Sequence, residues 1–182
     1  MSKATACIEQ RALNARNFFQ QPDKILAIGK STPWEDPADI DVSDRNPPTP
    51  TGYETDIEEP IAYKKIDLCY LCKKDKNGTL TYREQKFITT QDLQTAIDGL
   101  YDCVYVKGSF IYDEVPLKTY RQVGLYSCGK VTYDENNVSY PLGTEGHDNI
   151  VTDPGILAVI DYRKPQPRDW DQTETFEIMI QF

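Results

Sequence analysis

The order of apolar and polar positions divides the chain into a short helical start, one buried strand, an irregular stretch and a long β-rich remainder. Over residues 1–21, Ala4, Ile8, Ala12, Ala15 and Phe19 recur at steps of three and four, the spacing of one helical stripe, and Pro22 closes the segment. Lys24-Ile25-Leu26-Ala27-Ile28-Gly29 follows as a short apolar run between breakers, which predicts a strand buried on both faces.

Residues 31–60 carry Asn46-Pro47-Pro48-Thr49-Pro50 and a dense set of acids, so the pattern predicts an extended, Pro-rich acidic arm. Trp34 and Tyr53 have no purpose in a solvated linker, and the expectation is an arm lying on its own domain or on a neighbour.

Beyond Pro60, residues 61–182 read mostly as strands. Asn77-Gly78 is the pair expected to turn a hairpin into the run Thr79-Leu80-Thr81-Tyr82-Arg83-Glu84-Gln85-Lys86-Phe87-Ile88-Thr89. Residues 90–99 predict one short internal helix, capped by Thr90 and stopped at Gly99. The chain ends on an alternation of Phe176, Ile178, Ile180 and Phe182 with mostly polar neighbours, which belongs to a sheet with one packed and one wet face. With so few helices, crossovers for a parallel sheet are missing. The expected fold is mainly β: an antiparallel β-sandwich with an N-terminal α-helix, one short internal helix and the arm, all in a single structural domain over residues 1–182.

Charge sharpens this picture. The formal net charge is −9, and residues 33–60 hold nine acids against one base, Arg45. No clustered Lys and Arg mark a nucleic-acid footprint. No run is long and apolar enough for a membrane span, and the N-terminus lacks the apolar core of a secretory signal, so a chain made in a cytoplasm is expected. Five cysteines and one Cys69-x-x-Cys72 pair read as ordinary thiols, because residues three apart on a strand face opposite ways. No metal and no cofactor are expected.

Two stretches imitate catalytic chemistry. Gly29-Lys30-Ser31-Thr32 resembles the end of a phosphate-binding loop, but Lys24 stands where that motif needs its first glycine, and Pro33 stands where its helix should start. Glu145-Gly146-His147-Asp148 gathers acid, imidazole and acid inside a loop rich in turn residues. Neither makes a convincing active site. Most of the twelve tyrosines fall in predicted strands, where they stabilise sheets or form interface cores rich in Tyr, Trp and Arg.

Three stretches in order resemble one family, the baseplate wedge proteins of contractile-tailed bacteriophages. The first is Ala27-Ile28-Gly29-Lys30-Ser31-Thr32-Pro33-Trp34 with the later Asn46-Pro47-Pro48-Thr49-Pro50. The second is Leu117-Lys118-Thr119-Tyr120-Arg121-Gln122-Val123-Gly124-Leu125. The third is Gly155–Pro165 with Arg168, Gln172, Thr173 and Glu174, finishing on Ile178-Met179-Ile180-Gln181-Phe182.

The resemblance implies a non-enzymatic structural virion protein of the tail baseplate, assembled in the host cytoplasm, that links neighbouring wedge subunits. Its implied partners are other wedge and tail proteins and a second copy of itself. Interface residues on this reading are Trp34, Pro47, Pro48, Tyr53, Arg163, Arg168, Trp170 and Glu174, with fold-pinning ion pairs as the competing role for Arg163, Arg168 and Glu174. The alternative is a tail-borne carbohydrate-binding β-sandwich or a glycosidase, which needs clustered surface aromatics or two carboxylates at working separation.

Overall fold

The computed structural model describes residues 5–34 and 47–182. Ala4 of the expected helical stripe and the acid-rich half of the expected arm, residues 35–46, lie outside the described residues.

In chain order the elements are α1 (Ile8–Gln20), β1 (Ile25–Gly29), β2 (Ala62–Lys65), β3 (Leu68–Lys74), β4 (Leu80–Tyr82), β5 (Gln85–Thr90), α2 (Leu93–Gly99), β6 (Cys103–Phe110), β7 (Tyr120–Ser127), β8 (Lys130–Val131), β9 (Val138–Pro141), β10 (Ile150–Asp153), β11 (Ile156–Gln166) and β12 (Glu174–Gln181). The protein is mainly β, as its sequence pattern predicts. It forms two compact units: Met1–Gln21 with Asp67–Lys107 and Phe176–Phe182, and Pro22–Ile66 with Gly108–Thr175.

The first unit holds the five-stranded sheet, in the order β12-β6-β3-β5-β4, with α1 packed on β3 and α2. Ala12, Ala15 and Phe18 are the buried residues of α1. The expected stripe is thus rotated by one residue at its end, with Phe18 taking the deep position expected of Phe19, and its ring lies 6.0 Å from Phe182. The helix starts at Ile8 and stops at the residue pair before Pro22, where an extended Gln21 suits a pre-proline position.

Two local expectations are corrected here. Asp92, not Thr90, caps α2: its carboxylate accepts from Thr95 N–H at 2.6 Å, while Thr90 Oγ1 accepts from Asp92 N–H at 3.0 Å. Asn77-Gly78 is not the hairpin's two-residue turn. The tight turn is Arg83-Glu84, both at positive φ, and it joins β4 to β5; β3 pairs with β5 instead of with β4.

The second unit holds the seven-stranded sheet, in the order β11-β7-β1-β2-β9-β10-β8. It is mixed, since β9 and β10 run parallel. β1 is buried throughout, as its unbroken apolar run requires, between β2 and β7. β7 is also buried at every position despite Arg121 and Gln122. The core gathers Ile25, Ala27, Tyr63, Tyr126 and Val151 with Ile57, which comes from irregular backbone between β1 and β2.

Candidate functional site

Between β1 and β2 the described chain has no helix or strand, yet its last residues are tied down at each step. Gly29 ends β1, and Lys30 takes φ +61°, turning the next amides toward one point. Ser31 N–H and Thr32 N–H both donate to Glu59 Oε2 at 3.1 Å; Ser31 Oγ donates to the same oxygen at 2.7 Å, and Thr32 Oγ1 to Oε1 at 2.5 Å. Consecutive amides converging on an oxygen form an anion nest. The loop that imitates a phosphate binder therefore does bind an anion, and that anion is a side chain of the same polypeptide. These contacts hold the Glu59 carboxyl down at about 2, outweighing the opposing effect of its burial, with the Lys30 charge assisting.

The neighbouring residues extend the clamp. Lys30 Nζ donates to Glu58 Oε2 at 2.8 Å, Glu58 N–H donates to Gln122 Oε1 at 2.6 Å, and Ile57 N–H donates to Tyr126 Oη at 2.8 Å. Tyr126 in turn donates to Asp56, and burial raises that phenol far above its ordinary range. Arg121 reaches from the buried strand to the Ser31 carbonyl at 2.6 Å. Arg121, Gln122 and Tyr126 of the fully buried β7 thus hold this segment. Glycine makes the approach feasible: a Cβ on Gly29 would sit 2.6 Å from the Glu58 carbonyl, and one on Gly124 would sit 2.8 Å from Ile57 Cγ2.

Trp34 belongs to the same assembly of contacts. Its Nε1–H donates to the Arg163 carbonyl on β11 at 2.9 Å, and its ring lies 4.8 Å from that of Tyr162. The structure therefore brings together Trp34 and Arg163, whose Nε also donates to Asp161 at 2.8 Å. Arg168 and Glu174 form a separate pair. Arg168 is 6% exposed; its guanidinium donates to Glu174 Oε2 at 3.2 Å and to the carbonyls of Val115, Pro116 and Ile111 at 2.9, 3.2 and 2.9 Å. Burial raises the Glu174 carboxyl despite the attraction of Arg168.

The remaining expected residues stand apart from both groups. Pro47 is half-buried and Pro48 exposed. Tyr53 is 90% and Trp170 77% exposed. Tyr53 sits on a turn fixed by Glu54, whose carboxylate accepts from Thr51 N–H at 2.7 Å, Thr51 Oγ1 at 2.9 Å and Gly52 N–H at 2.8 Å. His147 stacks on Tyr140, with ring centroids 3.7 Å apart, in an exposed loop. Cys72 and Cys103 are buried cross-strand partners whose thiols burial pushes up to about 12.

The family model for the baseplate wedge 3 tail fiber network component matches residues 3–182. The chain belongs to that family. A relative, "Virion protein 3" of Enterococcus phage phiEF24C, is 31% identical over 158 residues, covering 84% of this chain and 80% of its own length. The family member described here is a structural protein of the phage tail baseplate. Among its described residues no helix is long and apolar enough to cross a membrane.

The residues of the clamp, Ser31, Thr32, Asp56, Ile57, Glu58, Glu59, Gln122 and Tyr126, were not singled out as a site by sequence reasoning. The signal was present in Gly29-Lys30-Ser31-Thr32, whose nest-forming composition is right for an anion. What a local motif cannot carry is the identity of an anion twenty-seven residues away.

Proposed function

We propose that the chain is a non-catalytic brace of the baseplate, linking neighbouring wedge subunits and a second copy of itself through protein–protein contacts, with no cofactor. On this reading it is assembled in the host cytoplasm, and its mainly β body, one of whose sheets is mixed and not purely antiparallel, acts as one structural domain. Its interface is drawn from Trp34, Pro47, Pro48, Tyr53, Arg163 and Trp170. Arg168 and Glu174 serve the fold.

The observation that carries this reading is Tyr53. A tyrosine 90% exposed is ordinary on a floppy loop, but this one stands on a turn whose amides are locked by Glu54. A rigid exposed aromatic loses little conformational entropy on binding, which is what an interface anchor needs. The test is particle assembly with Tyr53→Ala and Trp170→Ala. Loss of incorporation with unchanged melting temperature is expected. Normal incorporation of the double variant would end the assignment of these residues.

A further inference from the structure

Cys72 on β3 and Cys103 on β6 are register partners inside the five-stranded sheet. Directly opposed residues of antiparallel strands send their side chains to the same face. Both cysteines belong to one buried cluster with Phe87 and Tyr105, and they are 0% and 3% exposed. No other two of the five cysteines are so placed. Cys69 stands opposite Val106, and its side chain leaves on the other face from Cys72; Cys7 and Cys128 lie outside this sheet and are exposed.

The spacing admits a bond between the two sulfurs. Opposed Cα atoms on antiparallel strands lie about 4.5–5.5 Å apart, inside the ~4.4–6.8 Å that a disulfide spans. The Cβ atoms of such pairs also stand about 4.5–5.5 Å apart, and a disulfide draws them to about 3.5–4.5 Å. The bond therefore forms with the strands pulled slightly together, and a strained disulfide is easily reduced. As thiols, the two sulfurs turn to nearby oxygens: Cys72 Sγ donates to the Tyr70 carbonyl and Cys103 Sγ to the Asp102 carboxylate, both at 3.6 Å. Rotation about one side-chain bond frees each sulfur from that weak contact.

Access is one-sided. Cys103 lines a hollow of about 250 Å³ together with Tyr82, Phe87 and Met179, whereas Cys72 is fully enclosed. Cys103 is thus the sulfur that a small oxidant meets, and Cys72 is the one that resolves the adduct. Burial pushes both thiols up to about 12, so the exchange is slow.

We propose that Cys72 and Cys103 are a modification site, a reversible cross-strand disulfide that stays open in a reducing cytoplasm and closes once the particle is in an oxidising medium. First, the Cys103 thiolate attacks one sulfur of a small soluble disulfide, which forms a mixed disulfide and releases one thiol. The Cys72 thiolate then attacks Cys103 Sγ, closing the protein bond and releasing the second thiol. The two protons lost by the cysteines end on the released thiols; the protein gives up two electrons and the soluble disulfide takes them. The closed bond ties β3 to β6 around β4, β5 and α2, and so constrains the unfolded chain. Its timing rests on the proposed assembly in the host cytoplasm, since reductants there keep thiols open.

The test treats the folded full chain with cystamine, traps the remaining thiols with N-ethylmaleimide in denaturant, and maps the peptides by mass spectrometry. A link between Cys72 and Cys103 is expected, with a raised melting temperature that dithiothreitol returns to the untreated value. Cys72→Ser is expected to show neither the link nor the rise, and Cys128→Ser to keep both. Should Cys72→Ser fail to fold, the link in wild type decides alone. Free thiols at 72 and 103 after treatment, or a link through Cys7, Cys69 or Cys128 in place of this one, overturns the proposal.

Particles give a second reading. Chains from particles held in aerated buffer are expected to carry the link, and chains trapped inside infected cells to carry free thiols. Free thiols in both, or the link in both, overturns the proposed change on release. A chain absent from particles would instead undo the brace and leave the bond standing on the solution result.

Discussion

Thr32 and Glu59 meet through two hydrogen bonds, Thr32 N–H to Oε2 at 3.1 Å and Thr32 Oγ1–H to Oε1 at 2.5 Å, and so close the loop between β1 and β2 at its two ends. Bringing distant residues together costs loop entropy that grows only slowly with loop length. A few charge-assisted bonds and the burial of Ile57 offset it. The consequence is that the described start and return of the connection between β1 and β2 are fixed to the same buried strands.

Replacing Glu59 by Gln removes the charge but keeps the shape. Charge-assisted bonds contribute about 1.5–3 kcal/mol each in favourable settings, and exposure of the Glu59 side chain reduces this, so the expected loss is about 1 kcal/mol. The urea midpoint measures it. Hydrogen exchange should quicken at the amides of Ser31 and Thr32 while β1 stays protected; unchanged exchange at those amides would mean that the cradle is not closed by this carboxylate.

Acid should open the same clamp. The Glu59 carboxyl is held at about 2, below its ordinary 4.5, so its stabilising contribution is present above 4.5 and is lost as pH falls toward 2. Glu54 is lowered in the same way and by similar amide bonds. Glu174 runs opposite: burial raises it, so its ionisation costs stability as pH rises above 4.5. Chemical denaturation at a series of pH values should therefore show stability declining from 4.5 to 2, with a shallower decline in Glu59→Gln. Equal slopes in the two proteins would assign the acid sensitivity elsewhere.

The close approach of irregular chain to sheet predicts a graded response to added methyl groups. A Cβ at position 29 meets a backbone carbonyl at 2.6 Å, whereas one at 124 meets the side chains of Ile57 and Tyr126 at 2.8 and 2.9 Å, which can shift. Gly29→Ala should cost about 1–3 kcal/mol, and Gly124→Ala less. In a Trp170→Phe background, Trp34 emission should shift red for Gly29→Ala as the indole loses its seat on Tyr162. An unshifted spectrum would place Trp34 independently of the clamp.

Much of the fold was legible because it rests on local pattern. The apolar run Ile25–Gly29 could only be a buried strand, and the alternation ending at Phe182 could only be a sheet with two unlike faces. Details failed where tertiary partners decide. Phe18 and Phe19 are equivalent to a periodicity count, and contact with Phe182 selects one of them. Asn77-Gly78 has ideal hairpin chemistry, yet β3 finds β5, and the unpromising Arg83-Glu84 makes the tight turn. The candidate site split likewise. Trp34 stood out as an aromatic that a solvated arm does not need, while Glu59 was hidden among nine acids with nothing local to mark it.

Arg168 supplies a separate test of what is fold and what is interface. Its guanidinium is buried and spends its donors on three carbonyls and one carboxylate. Arg168→Ala leaves those acceptors and the Glu174 charge without their partner, and breaking a buried pair in this way costs about 3–5 kcal/mol. Arg168→Lys should recover the charge but not the forked geometry, and so only part of the loss. Thermal unfolding and particle incorporation should fall together. A fall in incorporation at unchanged melting temperature would return Arg168 to the interface.

The two compact units should unfold as one. The unit with the five-stranded sheet is assembled from three separate segments, and its β12 comes from the end of the chain. Neither unit can be made from a single continuous stretch, and β6 and β12 each run across a boundary between segments of the two units. Melting one sheet therefore frays strands that continue into the other unit, which couples the two transitions. Scanning calorimetry should give a single peak whose calorimetric and van't Hoff enthalpies agree. Removing residues 176–182 should lower the melting temperature of the whole molecule, because β12 is lost from its sheet and Phe182 from Phe18. Two resolved peaks, or a truncated chain that keeps one full-sized transition at its original temperature, would make the units independent domains.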